Sequence, residues 1–163
     1  MGAGTVLINR FLLGGRGLSY QEELSLTQEE LRGLLDTTEE VLALSKRVGS
    51  VGTEYPLCLI PNGGRNYKYL HVGSQCAAVN GFFVIDPSGY IRTCNHSPKR
   101  VGYIFGEAII NDDDYWNVFA KRSFDLPEMC KGCSFKEDCD CGCREAADIC
   151  YDSLSAIDPC FTM

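Results

Sequence analysis

The feature that most restricts this chain is its run of cysteines. The last third reads Cys130-x2-Cys133-x5-Cys139-x3-Cys143, and Cys160 follows after sixteen residues. Upstream stand Cys58, Cys76 and Cys94, with four residues between Gly89 and Cys94. Close spacings let one loop wrap a compact metal core, while remote ligands tie that loop to the rest of the fold. Thiolates are soft donors that suit zinc or iron–sulfur clusters. The chain has only two histidines, His71 and His96, so mixed Cys/His zinc sites have little material. Each histidine is read as a surface or core residue rather than a ligand.

The start of the chain, Met1-Gly2-Ala3-Gly4-Thr5-Val6, has no basic stretch leading into a long apolar run. It therefore reads as no signal peptide, and position 6 lacks the Ser or Thr of a myristoylation site. No apolar run approaches the roughly 20 residues that span a bilayer. The expected location is cytoplasmic, where ten cysteines point to metal rather than disulfides. A formal net charge of −7 with scattered Lys and Arg argues against nucleic acid or an anionic membrane as partner.

Residues 4–12 read as a short strand of the buried, parallel-sheet kind. The loop Gly14-Gly15-Arg16-Gly17 lacks the spacing of a phosphate-binding fingerprint and reads as a turn. Thr27 and Glu30 form a capping box for a helix whose core face is Leu31, Leu34, Leu35, Val41, Leu42 and Val48. Lys46 and Arg47 suit its last turn and Gly49 its end, with another strand expected near Tyr55–Ile60. Such a β–α unit cannot cover both faces of its strand and wants neighbours. Further on, Phe82–Ile85 and Tyr90–Arg92 form a hairpin through Asp86-Pro87-Ser88-Gly89, which returns Cys94 toward Cys76. A short aromatic helix is expected around Tyr115–Phe119, followed by a cysteine-dense, loop-rich segment.

These motifs resemble the SPASM domain, the C-terminal extension of many radical S-adenosylmethionine (SAM) enzymes that mature peptides and proteins. The resemblance rests on Cys76-x12-Gly89-x4-Cys94, on CxxCx5Cx3C at Cys130–Cys143, and on the final Cys160. Phe83–Cys94, Gly142-Cys143-Arg144 and Asp158-Pro159-Cys160 agree as well. It implies two auxiliary [4Fe–4S] clusters. Cys130, Cys133, Cys139 and Cys160 would hold one. Cys76, Cys94 and Cys143 would hold the other, with Cys143 crossing away from its local group as in bacterial ferredoxin runs. The fourth ligand of that cluster is either Cys58 or an open iron site. Cys141 and Cys150 remain as spare small apolar residues.

The fold class expected is α+β. Residues 1–57 would be a remnant β/α unit of a partial TIM-like barrel, and 58–163 a small hairpin, loop and helix domain of SPASM type. The radical SAM motif CxxxCxxC is absent from the sequence, so the chain is not expected to be catalytic alone. In a complete enzyme S-adenosylmethionine would supply the radical. Here the expected role is electron transfer and substrate docking. The implied partners are a peptide or protein substrate, an electron donor and a radical SAM half supplied in trans. Because metal binding offsets the cost of gathering eight thiolates, residues 130–160 are expected to lose order without metal.

Three other readings compete with this one. A structural zinc module would use the CxxC unit but would leave the longer ladder unexplained. A disulfide scaffold conflicts with the missing leader. A nucleophilic Cys58 has no base placed beside it by any motif.

Overall fold

The computed structural model describes residues 4–73 and 75–162. The leader reading rests on Met1–Ala3 and lies largely outside them. The chain opens with strand β1 (Thr5–Ile8), a 3-10 turn over Gly15–Tyr20 and a single helical turn, α1 (Gln21–Leu24). The main helix, α2 (Gln28–Ser45), starts at the capping box read from the sequence. The Thr27 hydroxyl accepts the Glu30 N–H at 3.2 Å, and the Glu30 carboxylate accepts the Thr27 N–H at 2.8 Å. Leu31, Leu35 and Leu42 are buried, and Thr38 completes their stripe by donating its hydroxyl to the Leu34 carbonyl at 2.7 Å.

The helix ends at Ser45, four residues before the expected glycine. Lys46 caps it in the left-handed region, and Val48–Val51 form β2, so Val48 lies on a strand and is exposed. Gly49 has a different role from a helix stop. A Cβ there would stand 2.9 Å from Leu42 Cδ1 and 3.0 Å from the Val6 carbonyl, so its absence lets α2 press onto the sheet. β1 pairs parallel with β2, Thr5 opposite Val48 through Ile8 opposite Val51. β2 pairs parallel with β3 (Leu70–His71). The order β1-β2-β3 gives one β–α–β crossover and a third parallel strand reached without a helix. Leu7 and Val48, on the face away from α2, stay exposed, as a β–α unit covered on one side requires.

The stretch expected as a strand near Tyr55–Ile60 forms 3-10 turns over Leu57–Leu59 and Pro61–Gly64. Pro56 and Pro61 carry no N–H for a ladder, and the apolar side chains Tyr55, Leu57 and Ile60 are buried without one. The hairpin is present as β4 (Val84–Ile85) and β5 (Tyr90–Arg92), extended antiparallel by β6 (Gly102–Tyr103). Asp86 shapes its turn, its carboxylate accepting the Ser88 and Tyr90 N–H groups at 2.9 and 3.1 Å. Helix α3 (Asp113–Ala120) is the expected aromatic helix and packs Tyr115 and Phe119 against Ile91, Val101 and Cys94. The cysteine-dense segment contains two helices, α4 (Glu128–Lys131) and α5 (Arg144–Tyr151), and ends in a 3-10 turn over Pro159–Phe161. The chain is thus a mixed α+β fold with two small three-stranded sheets. Among the described residues no helix is long and apolar enough to cross a membrane.

Candidate metal centre

All ten cysteines are free thiols. By the charges that act on them they fall into two groups, although packing sets Cys143 with Leu12 and Ala146 rather than with Cys76 and Cys94. Cys76, Cys94 and Cys143 form the first group. The Cys76 thiol is pushed up by burial and by the negative neighbours Glu54, Cys143 and Cys94. Burial, with Glu145 and Glu54 adding, raises Cys94 to about 11 against two main-chain donors that act the other way. Burial also raises Cys143, to about 12.

Three polar links bring this group together from distant parts of the chain. The Cys76 N–H donates to Asp140 Oδ2 at 2.8 Å, and Arg122 holds the other oxygen of Asp140 at 2.6 Å. Beside Cys94, Thr93 donates its hydroxyl to Glu145 at 2.5 Å, and Tyr115 reaches the same carboxylate at 3.0 Å. The Cys143 N–H donates to Asp158 Oδ2 at 2.7 Å. That aspartate also accepts the Cys160 N–H at 2.9 Å and pairs with the Arg10 guanidinium, so it joins three stretches of chain with one fully buried carboxylate.

The second group gathers Cys58, Cys130, Cys133, Cys139 and Cys141, with Cys160 at its edge. Cys130 is raised to about 12 by burial and by a hydrogen bond with Cys141, with Cys139 and Cys133 also acting on it. The Leu57 N–H points at Cys139 Sγ at 3.5 Å, which brings the neighbouring Cys58 to this side. The thiols acting on Cys58 are Cys133, Cys139 and Cys141. Burial pushes Cys160 up, and Cys141 is among its neighbours. Cys150 stands apart, with Asp158 as the charge acting on it.

Among the eight candidate residues, Cys76, Cys94 and Cys143 stand in the first group, and Cys130, Cys133 and Cys139 in the second with Cys160 at its edge. Cys58 lies beside the second group rather than with Cys76, Cys94 and Cys143. Cys141, read as a spare apolar residue, is buried within the second group. The spacing gave no signal for Glu54, Asp158 or the burial of Arg10, because their roles depend on contacts across more than 40 residues. Arg10 is buried and structural. Its Nε and Nη2 donate to the Glu54 carbonyl at 3.2 and 3.0 Å. His71 is exposed, and the pKa of His96 is lowered by burial and then by Arg10.

The donor set is sulfur-rich, the soft chemistry that suits zinc or iron–sulfur iron, and the buried cation Arg10 acts on Cys143 and Cys160. Among the described residues, no three His, Cys, Asp or Glu side chains are arranged to hold a single metal ion. Thiolates on a cubane bind different irons and so stand farther apart than ligands on one ion. A hollow of about 570 Å³ lies beside the parallel strands, lined by Thr5, Val48 and His71 and by no cysteine. No protein-family model, no curated protein and no solved structure matches this chain.

Proposed function

We propose that this chain is an iron–sulfur protein that holds two [4Fe–4S] clusters and serves electron transfer and substrate docking in a radical SAM peptide or protein maturase. The observation that supports this reading is the position of Cys143. It follows Cys139 by four residues, yet it acts on Cys76, and Glu54 acts on Cys76, Cys94 and Cys143 alike, while Asp158 and Arg10 join it also to Cys160. A single zinc-binding loop would keep Cys143 with Cys139, whereas two clusters that share one cysteine run would send it to the other site.

Cys76, Cys94 and Cys143 would hold one cluster and Cys130, Cys133, Cys139 and Cys160 the other. Bound clusters would supply a low-potential electron store. The chain's own residues orient the ligands: Asp140 fixes the main chain at Cys76, and Asp158 fixes it at Cys143 and Cys160. With no CxxxCxxC in this sequence, radical generation would belong to a separate part or partner. A peptide or protein substrate and an electron donor are the remaining partners of this reading.

Iron, sulfide and zinc analysis of protein reconstituted without oxygen tests it. About eight iron and eight sulfide per chain with a brown chromophore are expected for two cubanes. About two zinc per chain and no colour would replace it with a structural zinc module.

A further inference from the structure

The two thiol groups are unequal. The second holds Cys58 and Cys141 beyond the ligands assigned to it, while the first has three thiols where a cubane takes four ligands. Cys58 is drawn to the second group by its own turn, since the adjacent Leu57 N–H is aimed at Cys139.

Glu54 stands where a fourth donor is wanted. It is the third residue after β2, just past the carboxyl ends of the parallel strands, where open α/β sheets place their ligands. Its carbonyl accepts two hydrogen bonds from Arg10, and Arg10 pairs with the same Asp158 oxygen that takes the Cys143 N–H. Two side chains therefore fix the main chain of Glu54 relative to that of Cys143. Glu54 is half-buried, and its charge acts on each of Cys76, Cys94 and Cys143. Burial raises its carboxyl, while the donors that favour its charge are its own main-chain N–H and Arg10. Arg10 is already committed to the Glu54 carbonyl and to Asp158. Glu54 is a half-buried carboxylate near these three cysteines, and among the described residues its side chain makes no salt bridge, which leaves it short of a cation.

We propose that Glu54 is the fourth ligand of the Cys76–Cys94–Cys143 site, giving one iron a carboxylate oxygen in place of a thiolate. The assignment rests on the iron–sulfur reading above. Oxygen is a harder and weaker donor to such iron than thiolate, so this iron is the one a competing ligand would take.

Mössbauer spectra of the full chain, reconstituted without oxygen from ferrous iron and sulfide, test the assignment. One iron in about eight should differ from the thiolate-bound remainder. Glu54→Cys should convert it to the thiolate type at unchanged iron content. Glu54→Ala should shed it on brief oxidation and give the paramagnetic signal of a three-iron cluster. Cys58→Ala should leave it in place. An iron-loaded wild type whose spectrum is the same in both Glu54 variants overturns the proposal, as does loss of the distinct iron in Cys58→Ala. A wild type that takes up zinc and no iron overturns the parent reading, and it does so before any variant is made.

Discussion

Asp158 shows how much one side chain does in a small fold. Its carboxylate accepts from the main chain at Cys143 and Cys160 and pairs with Arg10, and neither charged group is solvated. Removing one partner of a buried ion pair strands the other, at about 3–5 kcal/mol. Arg10→Met should therefore lower stability by about that amount in urea unfolding, compared at equal metal content. Glu39 plays a similar part nearer the surface, taking the N–H groups of Lys68, Tyr69 and Leu70 where the chain enters β3. Desolvation opposes its ionisation, but those donors and the Lys68 charge outweigh it and hold its pKa below the ordinary 4.5. A depressed carboxylate contributes stability that is complete above the unfolded pKa and lost as pH falls through the folded one. Glu39→Gln should therefore be less stable than wild type at neutral pH, by under about 1 kcal/mol for so exposed a group. The gap should close in unfolding curves taken toward pH 3, and a gap that widens on acidification would contradict this.

Among the elements, α2 was the most legible, because its capping box and leucine stripe are local signals. Gly49 was misleading. A glycine that ends a helix and one that lets a helix approach a sheet look alike in sequence, and only the contact with Leu42 and Val6 separates them. The apolar run at Tyr55–Ile60 was misleading as well, since burial was satisfied by turns between two prolines. α5 was hidden inside the cysteine run, where spacing drew attention away from the periodicity of Ala146, Ala147 and Cys150. The turn before α5 needs left-handed backbone at Cys141 and Gly142, with φ of 59° and 79°. A Cβ on Gly142 would also run into the Asp158 carboxylate. Gly142→Ala should cost about 1–3 kcal/mol from backbone strain alone. Gly33→Ala, on α2 with open space around it, should instead gain up to about 1 kcal/mol. Urea midpoints of the two variants should move in opposite directions.

At the scale of the whole molecule, the C-terminus closes onto the N-terminal layer. Cys160 packs in the core formed by α2, β2 and β3, and Gln28 at the start of α2 donates to the Phe161 carbonyl at 3.2 Å. The cysteine ladder was legible as a pattern of candidate ligands, since close spacing is what wrapping a shared core needs. Spacing could not show that the turn at Leu57 aims its N–H at Cys139 or that the Glu54 carbonyl takes Arg10, because both depend on how the β2–β3 connection folds. Under the proposed reading the thiols form two separate sites, with Cys143 on the side of Cys76 and Cys94. Iron content of a Cys76→Ser/Cys94→Ser variant, reconstituted beside wild type, tests it most directly. Retention of about half the wild-type iron, with the remaining cluster intact, is the expected result. Complete loss or complete retention would contradict two independent sites.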